Sequence, residues 1–241
     1  MTDADAARCS VGVVVVAAGE GTRLRAGMPK AFVLLRGRPL LGYALAGVEQ
    51  LPGLCSLVVV APPEHVDARG PSWTGVDLPA GAVVVPGGAS RTASVAAGLA
   101  ALGDVDVVLV HDAARCLTPL AVFERVVAAV RAGAAGAVPG IPLVDTVKTV
   151  DADGVITGTP DRSSLRAVQT PQGFSRAVLV EAYRSGLAAT DDAALVELAG
   201  HHVVVVEGDP LAFKVTSRED LEHAERVLAL GAEAVAERLP D

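Results

Sequence analysis

Residues 11–30 read VGVVVVAAGEGTRLRAGMPK, and the rest of the expected fold is built around this stretch. Residues 13–16 are apolar without polar alternation, which indicates a strand buried on both faces, as in a parallel sheet covered by helices. The loop that follows is rich in glycine and alanine, so a ligand can approach its backbone. It ends in Pro29-Lys30. The stretch therefore predicts a site for a phosphate-bearing ligand at the end of a buried strand.

The spacing of this loop excludes two common phosphate-binding motifs. Gly19 and Gly21 begin a G-x-G-x-x-G pattern, but Leu24 stands where the third glycine belongs, and no Gly-Lys-Ser/Thr follows. Arg23 and Lys30 instead add two cations, which suits a triphosphate whose charge rises during a transfer reaction. The spacing alone leaves open a tight turn with two solvated cations.

Composition limits the class of protein. A chain of 241 residues with 51% hydrophobic and 20% charged residues is globular, and we expect one domain over 1–241. The net charge of -8 without basic runs argues against nucleic-acid binding. Because no apolar run is long enough to span a membrane and the acidic start lacks a signal segment, we expect no membrane contact and a cytoplasmic protein. The odd number of widely spaced cysteines predicts reduced thiols.

Apolar runs alternate with amphipathic segments along the chain, which is typical of a mostly parallel sheet with helices on both faces. The predicted strands are 12–17, 56–61, 82–86, 106–111, 134–139 and 202–206. The predicted helices are 40–50, 90–102, 119–132, 175–187, 191–199 and 217–238. Right-handed crossovers between the strands then give a doubly wound α/β fold.

Residues 141–160 interrupt this alternation and predict a projecting β-hairpin arm. Residues 144–150 and Val155-Ile156 flank Asp153-Gly154, a dipeptide typical of hairpin turns. Because a lone hairpin is unstable, the arm should pack on the body or on a second subunit. An ordinary polar hairpin remains an alternative to a functional arm. Polar groups beyond what folding requires lie in and after it: Asp145, Thr146, Lys148 and Arg162.

Three further segments carry candidate site residues. The segment 87–94 follows a predicted strand and opens a helix, so its N–H groups favour an anionic or base-edge ligand. His111-Asp112 ends a buried strand, where open α/β sheets bind ligands. Asp112 either holds a Mg²⁺ that bridges phosphates or caps the next turn. Lys214 precedes the last predicted helix. It is one of three lysines, with Lys30 and Lys148, in a chain that has 20 basic residues.

Taken together and in order, these motifs resemble the 2-C-methyl-D-erythritol 4-phosphate cytidylyltransferases over about residues 11 to 230. GxGTRL and PK are typical of nucleotidyltransferases in general, whereas the later segments make the match specific. They are GGxSRxxSV at 87–95, HDAAR at 111–115, DTVK at 145–148, DR at 161–162, TPQ at 170–172, TDD at 190–192 and KVT at 214–216. The resemblance implies a Rossmann-like nucleotidyltransferase fold and a homodimer joined through the hairpin arm.

The resemblance also implies a role for each matching residue. The residues implied to bind the nucleotide are Ala17, Ala18, Gly19, Gly21, Gly87, Gly88, Ser94 and Asp112. Those implied to bind the acceptor, with the arm residues delivered from the neighbouring subunit, are Asp145, Thr146, Arg162 and Lys214. The implied catalytic cations are Arg23, Lys30, Arg162 and Lys214, and Asp112 is the implied Mg²⁺ ligand. Ala89 and Ala212-Phe213 depart from the commoner family residues, which bears on the cytosine contacts and on the setting of Lys214.

The implied reaction is transfer of the cytidylyl group of CTP to a sugar-alcohol phosphate, 2-C-methyl-D-erythritol 4-phosphate, with release of pyrophosphate. An oxygen of the acceptor phosphate attacks in line, and because this oxygen is already anionic at neutral pH, no general base is required. Two alternatives stay open. One is a cytidylyltransferase acting on ribitol 5-phosphate, and the other is a nucleotide-binding regulatory module without catalysis.

Overall fold

In the computed structural model of the chain, residues 10–19, 27–68, 70–187 and 189–236 are described, with side chains to residue 231. One sheet of eight strands runs in the order β10–β7–β11–β6–β1–β4–β5, and β12 pairs with β7. Its strands are β1 (Val11–Val16), β4 (Leu54–Ala61), β5 (Val83–Pro86), β6 (Val107–Asp112), β7 (Gly136–Pro142), β10 (Arg166–Val168), β11 (Gln172–Ser175) and β12 (Val203–Glu207). Two short pairs lie outside it: β2 (Leu34–Leu35) with β3 (Arg38–Pro39), and β8 (Thr149–Val150) with β9 (Ile156–Gly158).

Six α-helices occur in the described part of the chain, and all six were predicted. They are α1 (Leu40–Glu49), α2 (Arg91–Ala101), α3 (Leu120–Arg131), α4 (Arg176–Arg184), α5 (Asp192–Leu198) and α6 (Arg218–Ala236). None of the helices in this described part is long and apolar enough to cross a membrane.

The valine run of β1 lies at the centre of the sheet, between β4 and β6, and pairs in parallel with both. Successive side chains of a strand point to opposite faces. Val13 and Val15 accordingly pack with α1 and α3 on one face, whereas Val14 packs with α2, α4 and α5 on the other. The predicted α/β fold, with a mostly parallel sheet covered on both faces, is confirmed.

The sequence did not predict β10 and β11, which run antiparallel in this otherwise parallel sheet. β11 lies between β6 and β7 and pairs with both, and β10 continues along β7. The segment QGFS of β11 is short, and neither its glycine nor its polar residues favour a strand. Pairing on both edges and the burial of Phe174 at 0% exposure stabilise it instead.

The hairpin has its turn where the sequence placed it. Asp151 N–H donates to the carbonyl of Val155 at 3.0 Å, and Gly154 has a φ of 81°, in the region that favours glycine. β8 and β9 pair only with each other among the described strands. Apolar side chains of this segment are exposed: Val144, Val150, Val155 and Ile156.

Candidate active site

A cleft of about 530 Å³ lies where the carboxyl ends of β1 and β6 meet the start of α2. In parallel sheets these ends share one edge, which is where ligands bind in open α/β folds. The cleft contains predicted residues from four separate segments. It is lined by Val16, Ala17, Ala18, Gly19, Lys30, Ala31, Gly88, Ala89, Ser90, Arg91, Ser94, Asp112, Ala113, Ala114 and Lys214.

The first wall is the backbone that leaves β1. Ala17 N–H donates to the carbonyl of Val60 at 2.8 Å, which fixes the start of the loop against β4. At the other end, Lys30 N–H donates to the carbonyl of Gly19 at 3.3 Å, so Lys30 returns to the same edge. Phe32, two residues later, is buried and packs edge-on against Trp73 with ring centroids 5.5 Å apart. This packing anchors the short turn that carries Lys30.

The second wall is the turn between β5 and α2. A Cβ on Gly87 would lie 2.4 Å from Cβ of Ala18, and one on Gly88 would lie 2.6 Å from Cβ of Ala93. Gly87 therefore has to be glycine for this turn to approach the loop after β1, and Gly88 for the turn to pack against the start of α2. Ser94 Oγ accepts from Gly88 N–H at 3.1 Å and donates to the carbonyl of Ser90 at 2.9 Å. Ser94 thus holds the turn in place in addition to lining the cleft.

Asp112, at the end of β6, is the charged centre of the cleft. Its side chain is 11% exposed, and Lys214 Nζ donates to Oδ2 at 2.6 Å. Arg91 Nε lies 3.8 Å from Oδ1. Burial opposes ionisation of this carboxyl, but Lys214 and Arg91 outweigh it and hold the pKa of Asp112 below its ordinary value. Asp112 is therefore an anion between two cations.

Arg91 joins this centre to a second carboxylate that the sequence did not assign. Arg91 Nη2 lies 2.7 Å from Oδ2 of Asp192, and the hydroxyl of Tyr183 donates to Oδ1 of Asp192 at 2.5 Å. Burial disfavours the guanidinium cation, yet Asp192 and Asp112 outweigh burial and raise the pKa of Arg91. Arg91 lies inside the motif at 87–95, and its charge next to a glycine turn was the signal that could have found it.

The loop that carries Lys214 is held against the carboxyl end of β6. Arg115 Nη1 donates to the carbonyl of Ala212 at 2.6 Å, and Val215 N–H donates to the carbonyl of Ala114 at 2.9 Å. These contacts bracket Lys214. They also explain how Ala212, one of the two departures from the family pattern, still sets the lysine: its contact with Arg115 uses a backbone carbonyl.

His111 has a structural environment. Its Nδ1 lies 3.1 Å from Thr170 Oγ1, and its ring packs on Phe123 with centroids 4.9 Å apart. Burial lowers the pKa of His111 to about 4, which keeps the imidazole neutral near pH 7. The interpretation of His111 as a packed, hydrogen-bonded residue agrees with this geometry.

Several predicted site residues lie elsewhere. Gly21 and Arg23 fall outside the described residues. Gly87 supports the cleft from behind its lining. Asp145, Thr146 and Arg162 are exposed and do not line the cleft of their own chain. Arg162 Nη1 instead donates to the carbonyl of Val144, which ties the arm to the segment that follows it.

The donor set around Asp112 suits a Mg²⁺ that also contacts phosphate. Within the described ranges no group of three or more His, Cys, Asp or Glu side chains could hold a metal ion alone. Mg²⁺ commonly uses one or two carboxylates, with substrate phosphates and waters completing its shell. Asp112, ionised and facing the cleft, can supply that carboxylate when Lys214 moves away from Oδ2.

A mostly parallel sheet with a glycine-walled, cationic cleft at its carboxyl edge fits a nucleotidyltransferase. The model of the 2-C-methyl-D-erythritol 4-phosphate cytidylyltransferase (IspD) family matches residues 11–230. The chain belongs to this family. The resemblance inferred from the motifs is confirmed.

Similar proteins agree with this assignment. The bifunctional enzyme IspD/IspF of Clavibacter michiganensis subsp. michiganensis is 53% identical over 238 residues, which cover 95% of this chain and 57% of that protein. The 2-C-methyl-D-erythritol 4-phosphate cytidylyltransferase of Nocardia farcinica is 51% identical, covering 91% of this chain and 94% of that protein. The crystal structure of the Thermus thermophilus enzyme superposes with a TM-score of 0.72 at 38% identity, covering 90% of this chain and 98% of that one.

Proposed function

We propose that this protein transfers the cytidylyl group of CTP to 2-C-methyl-D-erythritol 4-phosphate, giving 4-diphosphocytidyl-2-C-methyl-D-erythritol and pyrophosphate. The observation that carries the proposal is one cleft in which two lysines from distant segments, Lys30 and Lys214, accompany a glycine-lined backbone and Asp112. A reaction between two phosphate groups needs cations for both. Membership of the family indicates that the nucleotide is CTP and that the acceptor is 2-C-methyl-D-erythritol 4-phosphate.

In this proposal the chain acts by positioning and charge stabilisation. The backbone at 17–19 and at Gly88 lies against the nucleotide, with Gly87 supporting the turn behind it, and the N-terminus of α2 adds its positive dipole end. Lys30, with Arg23, stabilises the charge that grows on the α-phosphate during in-line attack. The ammonium group of Lys214 binds an oxygen of the acceptor phosphate in place of Asp112. The attacking oxygen is already anionic, so the chain needs no general base.

Asp112 is the residue proposed to hold Mg²⁺. The ion would neutralise charge on the phosphate oxygens as they react. Lys214 and Arg91 keep the carboxylate of Asp112 ionised before substrates bind. Asp112 can therefore bind the metal ion once Lys214 contacts the acceptor phosphate.

The proposal extends to a homodimer in which the arm of one subunit completes the cleft of the other. Asp145, Thr146 and Arg162 do not line the cleft of their own chain, and Val144 and Ile156 expose 86% and 59% of their surface. Exposed apolar groups along a two-stranded arm favour a partner. Light scattering tests the oligomeric state. We expect a dimer, and Ile156→Glu should make it a monomer.

We also propose that residues 1–241 form a single nucleotidyltransferase domain with the arm at 141–160. Cytoplasmic location is supported by Cys55 and Cys116, which are the cysteines within the described ranges and are both free, as is typical of a reducing compartment.

The deciding experiment is pyrophosphate release from CTP with each acceptor in turn. We expect turnover with 2-C-methyl-D-erythritol 4-phosphate and little with ribitol 5-phosphate, with the product identified by mass spectrometry. A preference for ribitol phosphate would favour the first alternative function. CTP binding without turnover on either acceptor, across several divalent ions, would favour the regulatory module.

A further inference from the structure

Asp192 is a carboxylate whose side chain has no solvent exposure, in the first turn of α5. Both of its oxygens have donors, Arg91 Nη2 at 2.7 Å on Oδ2 and the Tyr183 hydroxyl at 2.5 Å on Oδ1. Without such donors, a carboxylate at this depth would carry a large cost of desolvation. Asp192 and Tyr183 do not line the cleft, so neither can contact a ligand there directly.

Arg91 connects this buried pair to the cleft. Its Nη2 faces Asp192 while its Nε lies 3.8 Å from Asp112 Oδ1, and the side chain is 30% exposed. A guanidinium is a rigid planar fork. The hydrogen bond to Asp192 at one nitrogen and the nearby charge of Asp112 at another therefore set the direction of the group.

Fold stability gives little reason to keep Asp192. The desolvation of a buried ion pair roughly offsets its attraction, and apolar residues of similar size often stabilise a protein as well or better. The neighbours of Asp192 in α5, Ala193, Leu195 and Val196, are apolar members of the core on this face of the sheet. What distinguishes Asp192 from them is its contact with a residue of the cleft.

We propose that Asp192 and Tyr183 are positioning residues that hold the Arg91 guanidinium at the wall of the nucleotide cleft. Tyr183 orients the carboxylate, the carboxylate orients Arg91, and Arg91 presents its remaining N–H groups to the anionic nucleotide. Two helices, α4 and α5, thereby act on CTP binding without touching CTP. This inference rests on the proposed function.

A double-mutant cycle tests whether Asp192 acts through Arg91. Asp192→Asn, Tyr183→Phe, Arg91→Ala and the two double variants with Arg91→Ala are compared with wild type. Measured quantities are the CTP dissociation constant by calorimetry without acceptor, KM for each substrate, kcat and the unfolding temperature. Asparagine keeps the shape of the side chain and removes its charge.

We expect Asp192→Asn to weaken CTP binding about 10-fold and Tyr183→Phe about 3-fold, the range for losing or weakening a charged hydrogen bond. KM for the acceptor should change much less, because Arg91 contributes to the nucleotide side. In the Arg91→Ala background both substitutions should leave CTP affinity unchanged, because the residue through which they act on CTP is absent.

Two matched variants control for the chemistry of each change. Asp191→Asn alters the adjacent carboxylate, which accepts from Gln172 Nε2 and from Ala194 N–H rather than from Arg91. Tyr43→Phe removes the other tyrosine hydroxyl, which donates to Leu35. Both should keep wild-type CTP affinity.

Outcomes separate this inference from the proposed function. A lower unfolding temperature with unchanged CTP affinity in Asp192→Asn and Tyr183→Phe would make the pair merely structural and overturn the inference. Equal losses with and without Arg91 would also overturn it. If Asp192→Asn does not fold, Tyr183→Phe, which keeps the ion pair, carries the test. Wild-type protein without cytidylyl transfer would instead refute the proposed function.

Discussion

The ammonium group of Lys214 lies 2.6 Å from Oδ2 of Asp112, although the two residues are 102 positions apart in the chain. One ends β6 and the other lies in the loop before α6. The pair joins the residue proposed for the acceptor phosphate to the residue proposed for the metal ion. In the proposed function Lys214 turns from this carboxylate to a phosphate oxygen, and Arg91, 3.8 Å from Oδ1, remains as a counter-charge of Asp112.

Replacement of Lys214 should affect the acceptor more than the nucleotide. We expect Lys214→Ala to lower kcat/KM for 2-C-methyl-D-erythritol 4-phosphate by at least about 10²-fold, the effect of removing a charged donor from a reacting centre. Lys214→Arg should not restore activity, because a planar fork cannot replace a compact ammonium beside Asp112. Steady-state kinetics measure both. Arg218→Gln is the control, since its side chain is 85% exposed and should leave the kinetics unchanged.

Lys30 should contribute mainly to the chemical step. We expect Lys30→Ala to lower kcat by at least about 10²-fold, because the charge on the α-phosphate is greatest in the transition state. The unfolding temperature should change little, since the turn is anchored by buried Ala31 and Phe32. We expect the same loss of kcat for Arg23→Ala from the sequence motif. Near wild-type turnover in either folded variant would contradict the assigned roles.

Two glycines of the cleft should respond differently to alanine. A Cβ on Gly87 would collide with Ala18 at 2.4 Å, whereas one on Gly19 meets no described atom within 4 Å. Gly87→Ala should thus lower the unfolding temperature and raise KM for CTP. Gly19→Ala should leave the unfolding temperature unchanged and raise KM only, because its methyl group enters space that the nucleotide needs. Unfolding temperatures and KM values for both variants decide this.

The sequence predicted the parallel part of the fold because its signals are local. The valine run of β1 and the amphipathic helices each show their burial within a single segment. β11 has no such signal, since its strand conformation results from pairing with β6 on one edge and β7 on the other. A strand that is made by its neighbours cannot be recognised before those neighbours are placed.

The same distinction applies to the cleft. Gly88, Asp112 and Lys214 were each found within a motif that follows a strand or precedes a helix. The pair Arg91–Asp192 was not found, because it joins positions 101 residues apart and neither residue reveals its partner locally. For Arg162 the motif implied a role, while the single chain brings it to Val144 rather than to the cleft.

The thiol of Cys116 should make stability depend on alkaline pH. Burial raises its pKa to about 12, from an ordinary value of 9.0. Between these values the unfolded chain loses the proton and the folded chain keeps it. The contribution of this thiol to the free energy of unfolding is therefore fully present below pH 9. It is lost as pH rises, by up to about 1.4 kcal/mol per pH unit. Urea unfolding from pH 8 to 10.5 should show this slope in wild type and in Cys55→Ala, and a flatter slope in Cys116→Ala.

Mixing of two inactive variants should show whether the arm acts on the neighbouring subunit. Lys30→Ala removes a cleft residue and Arg162→Ala an arm residue, so each homodimer should be inactive. If arms act across the dimer, each heterodimer contains one site with both Lys30 and Arg162. Random exchange of subunits then restores about a quarter of wild-type activity, since about half of the dimers are mixed and each has one intact site. If each arm served its own subunit, every site would lack one of the two residues, and the mixture would stay as inactive as its components.

The control mixture pairs Lys30→Ala with Lys214→Ala. Both changes lie in the cleft, so one subunit of each heterodimer lacks Lys30 and the other lacks Lys214, and no activity should return.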